Sequence, residues 1–155
     1  MPNPILNPSD LAPDFEAQTD GGGQVKLSGL RGKRVILYFY PKDNTPGCTT
    51  QACDFRDNLS VLQGSGFEVL GVSPDSEASH DRFKSKFELT FPLLVDSDHS
   101  IAEAYGVWRE KKNYGRTYMG IVRSTFVIDA EGKLEKIYDN CRAKGHVERL
   151  LKELT

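Results

Sequence analysis

The chain of 155 residues is poor in cysteine: it has three, an odd number and too few for a disulfide scaffold. Net charge is also scarce, −2 at pH 7, so no global field draws the protein to nucleic acid or to an anionic membrane. No stretch approaches the ~20 apolar residues that a membrane-spanning helix needs. Residues 1–10 hold no basic residue and no apolar run, so a secretory signal is not expected there. Internal repeats, linkers and low-complexity segments are missing as well. What remains is an ordinary globular composition, 38% hydrophobic and 27% charged. Its length suggests one domain over residues 1–155, burying roughly 70% of its unfolded surface. A cytoplasmic location is expected, where thiols stay reduced and a cysteine pair is more often catalytic or metal-binding than structural.

The stretch that organises the chain runs from Tyr38 to Cys53. Residues 35–40 are apolar throughout and read as a buried strand, covered on both faces. Pro41, Pro46 and Gly47 then make the chain turn. Cys48 falls where a helix begins, because Phe55, Leu59 and Leu62 keep helical spacing beyond it. The unpaired N–H groups and positive end of a helix start favour thiolate over thiol. A free thiol titrating near 8.5 is only about 3% thiolate at pH 7, and a helix N-terminus supplies roughly 0.3–2 kcal/mol, so a cation is needed too. Arg123, just before the expected strand Ser124–Ile128, is the candidate, always charged and with a fork of donors. Thr45, three residues before Cys48, brings a hydroxyl that can both give and accept a hydrogen bond. Cys53 stands five residues after Cys48. In an undisturbed helix that step rises ~7.5 Å and turns ~500°, placing the Cα atoms roughly 8.7 Å apart. A disulfide wants about 7 Å or less, so a bond between this pair would require the first turn to unwind.

In chain order, the pattern predicts an extended lead-in over residues 1–13 and a hairpin of 15–19 with 24–27 around Asp20-Gly21-Gly22-Gly23. A short turn at 28–32 and a central strand at 34–40 follow. The Cys48 helix runs to about Gln63, and Gly64 and Gly66 end it. Then come a strand at 67–72, a helix opened by Ser73-Pro74-Asp75 with Phe83 and Phe87 on one face, a short strand at 93–95 and a short helix at 100–105. Residues 108–120 are polar and read as a long loop. Strands at 124–128 and 133–138 form an antiparallel pair, and a helix at 146–154 closes the chain. This order gives an α/β fold, a mixed sheet with helices on both sides.

Pro41, Thr45 and Cys48 match the P-x-x-x-T-x-x-C signature of the peroxiredoxins, and residues 123–129 (RSTFVID) resemble that family's R-x-T-F-x-I-D strand. The five-residue step to Cys53 is similar to the subgroup called PrxQ or bacterioferritin comigratory protein, and Ala12-Pro13-Asp14-Phe15 resembles its N-terminal A-P-D-F. The resemblance covers about residues 10–154. It implies a thioredoxin-like fold and a thiol peroxidase with no metal or organic cofactor. By the same resemblance, Cys48 is the peroxidatic cysteine and attacks hydrogen peroxide or an alkyl hydroperoxide to become a sulfenic acid. Thr45 and Arg123 would bind the peroxide oxygens, and Pro41 would shield the sulfenic acid. Cys53 would resolve it as an intrachain disulfide that thioredoxin or a similar dithiol protein reduces. A monomer is the expected state.

Several residues admit other readings. Cys48 and Cys53, with Cys141 and His146, have spacings that brush against those of zinc sites, which would make the chain a Cys/His binding module. That reading gives Thr45 and Arg123 no purpose. A thioredoxin-like disulfide exchanger would carry C-x-x-C at the helix start, where this chain has C-x4-C. Cys141 departs from the two-cysteine pattern; it is expected to be a bystander, with a second route to resolution or a mixed disulfide as alternatives. His80, His99 and His146 are expected at the surface, and Lys111, Lys112 and Arg116 in a solvated loop.

Overall fold

The apolar run at 35–40 becomes the middle of the sheet. In the computed structural model, residues 6–155 are described; residues 1–5 of the expected lead-in lie outside the described residues. The chain opens with the hairpin β1 (Glu16–Gln18) and β2 (Gln24–Lys26), Ala17 facing Val25 across a tight turn at Asp20–Gly22. Next come β3 (Arg34–Phe39), α1 (Pro46–Asp57), α2 (Leu59–Gly64), β4 (Phe67–Ser73), α3 (Glu77–Phe87), β5 (Leu93–Val95) and α4 (Ser100–Ala104). The second half holds β6 (Trp108–Asn113), β7 (Arg116–Ile121), β8 (Ser124–Ile128), β9 (Leu134–Tyr138) and α5 (His146–Leu154).

Five strands form one sheet in the order β5-β4-β3-β8-β9. β3 runs parallel to β4 and antiparallel to β8, so the sheet is mixed as the pattern implied. Alternation along β3 sends Val35, Leu37 and Phe39 to one face, and Ile36, Tyr38 and the following Tyr40 to the other. The Tyr38 face packs on side chains from α1, α2, α3 and α5 (Ala52, Phe55, Leu62, Phe83 and Leu150). The Phe39 face is covered by α4, Tyr105, Val107 and the N-terminal segment through Ala12, Ala17 and Leu27. Helices thus lie on both sides, four against one. No described helix is long and apolar enough to cross a membrane.

Two expectations change. The single helix to Gln63 is two, broken at Asn58 (φ −113°, ψ 10°). The Asn58 side-chain amide donates to the Asp54 carbonyl at 2.8 Å, and this local bond competes with continuation of the helix. The loop at 108–120 is instead the antiparallel hairpin β6–β7, Asn113 pairing with Arg116 around Tyr114-Gly115. Both turn residues have positive φ, 50° and 76°, as a two-residue hairpin turn requires. Only its base, Trp108 and Ile121, meets the core; Tyr114 at the tip is 98% exposed. With neither face of the outer hairpin buried, no apolar alternation marks it in the sequence.

Candidate active site

Cys48 lies in the first turn of α1, after Pro46 and Gly47, with Thr45 as the residue that begins the helix. It is 2% exposed. Pro46 suits this place because its missing N–H would have no helical partner there. The sheet explains how Arg123 arrives at the same point. Ser124 pairs with Phe39 at the end of β3, so Arg123, immediately before it, lies beside the loop that leads into α1. The Arg123 guanidinium spans two groups one helical turn apart. Its Nη2 donates to Cys48 Sγ at 3.2 Å, and its Nη1 donates to Gln51 Oε1 at 2.5 Å. Gly47 leaves room for this: a Cβ there would stand 3.3 Å from Arg123 Nη2.

Thr45 is half-buried, and its hydroxyl donates to the Lys42 carbonyl at 2.9 Å rather than capping the helix. The proton is therefore committed to the loop, and the oxygen lone pairs remain for an incoming donor. Pro41, also half-buried, opens that loop. Cys53 is half-buried on the same helix, and α1 is continuous through both cysteines, each a free thiol. Cys141 is not remote. Its backbone N–H donates to the Arg123 carbonyl at 2.8 Å and its thiol reaches the same oxygen at 3.4 Å. Burial pushes the Cys141 thiol up, so it stays protonated where a nucleophile would not. A cavity of about 510 Å³ lies on this side, lined by Tyr138, Asp139, Cys141, Arg142, His146 and Arg149.

The histidines differ from expectation. His80 is fully buried, His146 is 4% exposed, and His99 stacks on Trp108 with ring centroids 3.7 Å apart. His146 Nε2 is 2.8 Å from the Thr125 hydroxyl; burial and the charges of Arg149 and Arg123 push it down to about 4, so it is neutral near pH 7. Cys48, Cys53, Cys141 and His146 do not converge. Among the described residues, the group close enough to share an ion is Asp43, Asp75 and His80. The basic patch is only partly solvated: Lys112 and Arg116 are exposed, but Lys111 folds back along Gly120 and donates to the Ile121 carbonyl at 2.5 Å. Burial and then the Arg123 charge lower the Lys111 ammonium, while Cys48 raises it. The site thus has a second cation in its neighbourhood.

Sequence reasoning missed Gln51, whose signal was available: three residues after Cys48, it lies on the same helix face. It also missed Tyr38. The Tyr38 hydroxyl and Gln51 Nε2 are buried without a hydrogen-bond partner, and burial followed by the charge of Cys48 pushes the Tyr38 phenol well above its usual range.

Known proteins resemble this chain in sequence and in fold. The AhpC/TSA family model matches residues 8–137. Peroxiredoxin Bcp of Bacillus subtilis (strain 168) is 53% identical over 143 residues, 92% of this chain and 91% of that protein. The solved structure of the bacterioferritin comigratory protein of Xanthomonas campestris superposes with a TM-score of 0.88 at 36% identity, covering 97% of this chain and 96% of that one. A cysteine-to-serine mutant of PrxQ from Xylella fastidiosa gives 0.92 at 35% identity, covering 97% and 96%. The chain belongs to the AhpC/TSA family, as a peroxiredoxin of the Bcp/PrxQ subgroup with a thioredoxin-like fold, and is therefore a thiol peroxidase.

Proposed function

We propose that the chain is a single-domain, atypical two-cysteine peroxiredoxin in which Cys48 reduces the peroxide and Cys53 resolves it. The observation that carries this reading is the 3.2 Å contact between Arg123 Nη2 and Cys48 Sγ at the start of α1. The guanidinium and the helix N-terminus both direct positive charge at that sulfur. The thiolate attacks one peroxide oxygen; an S–O bond forms and the O–O bond breaks. The leaving oxygen departs as water or alcohol after taking a proton, and Cys48 is left as a sulfenic acid. Arg123 stabilises charge on the leaving oxygen. Thr45 Oγ1, its own proton given to Lys42, accepts the peroxide O–H. Pro41 shields the sulfenic acid from solvent.

Cys53 then attacks the Cys48 sulfur. An S–S bond forms, the S–O bond breaks and water leaves. Because α1 is continuous from Pro46 to Asp57, the two Cα atoms start roughly 8.7 Å apart, beyond the ~7 Å limit for bonding. Its first turn unwinds in this step. Thioredoxin or a similar dithiol protein returns both thiols, and all the electrons come from thiols, with no metal or organic cofactor. Resolution within one chain needs no second copy, so the working unit is a monomer, and such a reductant places it in the cytoplasm. Hydrogen peroxide and organic hydroperoxides are the substrates; the Xanthomonas campestris relative is described for alkyl peroxide reduction.

The test is a disulfide map by mass spectrometry after one equivalent of hydrogen peroxide is added to reduced protein. The expected product is an intrachain Cys48–Cys53 bond with Cys141 free. A Cys48–Cys141 bond would move the resolving role to Cys141, and no oxidation at Cys48 would remove it from the reaction.

A further inference from the structure

The peroxide chemistry leaves Asp43 without a task, yet Asp43 is one of the most heavily bonded side chains in the protein. It sits between Pro41 and Thr45, in the loop that delivers the chain to α1, and is 6% exposed. Its Oδ1 accepts from the Tyr40 hydroxyl at 2.6 Å. Its Oδ2 accepts from the Ser79 hydroxyl at 2.8 Å and lies 2.7 Å from His80 Nδ1. The Asp43 backbone N–H donates to Asp75 Oδ2 at 2.7 Å, and the Ser73 hydroxyl donates to that same oxygen at 2.7 Å. These partners belong to the ends of β3 and β4 and to α3. None belongs to α1.

His80 completes the clamp from the interior. Its Nε2 is 2.8 Å from the Leu94 carbonyl, which can only accept, so that nitrogen bears a proton. Its other nitrogen faces a carboxylate, and an imidazolium donating at both ends satisfies both partners. Burial opposes that charge, but the hydrogen bond and charge of Asp43, the Leu94 carbonyl and the Asp75 charge outweigh it and raise His80. The Tyr40 phenol is held neutral, pushed well up by burial. On the outer side of the loop, Arg82 and Lys86 of α3 border Asn44. Every atom with which Asp43, Asp75 and His80 face one another is already hydrogen-bonded, so no ion is invoked.

A buried ion pair is a poor way to stabilise a fold, since apolar packing of equal volume often does as well. Its value here is geometric, because it fixes the segment five residues before Cys48. We infer that His80 is a positioning residue for the peroxide step: by clamping Asp43 it holds the loop 41–45 still, so that Thr45 keeps its place and Cys48 returns to its own each time the first turn of α1 unwinds and rewinds. The boundary of the unwinding then falls between Asp43 and Cys48, where Asn44 takes a positive φ of 61°. This rests on Cys48 as the peroxidatic residue.

Two substitutions divide the roles of the ring. In His80→Asn the amide can still donate to Asp43 but cannot titrate. In His80→Gln it reaches the Leu94 carbonyl and offers Asp43 no donor. The measurement is rapid-quench loss of the Cys48 thiol on mixing with hydrogen peroxide, from pH 6 to 9. Displacing a reacting group by an ångström can cost about 10²-fold, so His80→Gln is expected to slow this step by about tenfold or more at pH 7, with His80→Asn within about threefold of the unsubstituted protein. The unsubstituted protein should also lose rate above the ordinary histidine range, as the Nδ1 proton leaves, and His80→Asn should lack that fall. Equal slowing in both variants, or a fall that persists in His80→Asn, overturns the inference. Should neither variant fold, nitrogen-15 spectra of the unsubstituted protein decide: both ring nitrogens protonated at pH 7 supports the clamp, and one overturns it. If Cys48 never loses its thiol, the failure lies instead with its peroxidatic role.

Discussion

Replacing Arg123 with alanine is the sharpest perturbation of this site, because one side chain makes both contacts that define it. Nη2 is 3.2 Å from Cys48 Sγ, and Nη1 is 2.5 Å from Gln51 Oε1. A hydrogen bond to a charged group contributes about 1.5–3 kcal/mol. Removing one preorganised donor from a site where negative charge develops costs about 10²–10³ in rate. In the proposed reaction Arg123 acts before and during the peroxide step, first on the Cys48 sulfur and then on the departing oxygen. The expected loss for Arg123→Ala therefore lies toward the upper end, about 10³ in the rate constant of the peroxide step. Arg123→Lys keeps the charge but not the fork that joins Sγ to Gln51, and should lose about 10–10². Rapid-quench thiol counting against peroxide concentration reads this step alone, without the reductant. Circular dichroism should show the fold unchanged, since the guanidinium lies outside the apolar core. A rate for Arg123→Ala within about threefold of the unsubstituted protein would refute the reasoning, and would reduce the contact to simple packing.

Cys53→Ser should consume one equivalent of peroxide and stop when no reductant is added, leaving a sulfenic acid at Cys48 that a dimedone-type reagent traps; a Cys48–Cys141 disulfide forming in that variant would assign resolution to Cys141. His146 gives a pH prediction with a definite sign. Its folded value of about 4 lies below the ordinary 6.5, so between these values the unfolded chain binds a proton that the native protein does not. Stability is full above pH 6.5 and is lost as pH falls toward 4, on the order of 3 kcal/mol for such a shift. At about 2–4 °C per kcal/mol, the melting temperature should drop by roughly 6–12 °C across that window. His146→Asn should flatten this limb, and an unchanged slope in that variant would relieve His146 of the effect.

The strands and helices that were legible in the sequence are those with something to bury. β5, β8 and α5 fall where their apolar patterns put them, and β3 is readable because both of its faces are covered. The hairpin β6–β7 was illegible for the opposite reason. Tyr118 and Met119 are exposed, and a ribbon without an inner face writes no period into its residues. Its only local signal was Tyr114-Gly115, and a glycine after tyrosine is a weak hairpin mark beside Asn-Gly or Asp-Gly. The break between α1 and α2 turns on one asparagine bonding to its own helix, which spacing alone does not show.

The site divides along similar lines. Thr45, Cys48 and Cys53 lie within nine residues, and Arg123 announces itself through the strand that follows it. In the proposed reaction these residues act on the substrate or the sulfur, which is why their spacing is readable. Asp43 and His80 are 37 residues apart, and nothing near either one predicts the other. They meet because β4 lies between β3 and β5 in the sheet, which sets α3, the Leu94 carbonyl and the chain leaving β3 side by side. The same logic applies to Lys111, which nears Arg123 only once the unpredicted hairpin has folded it back. Thr45, Cys48 and Cys53 are confined to a short stretch by helix geometry, whereas Arg123 is delivered by the pairing of β3 with β8. Residues that hold that stretch in place are chosen by the sheet order, so they can come from anywhere in the chain.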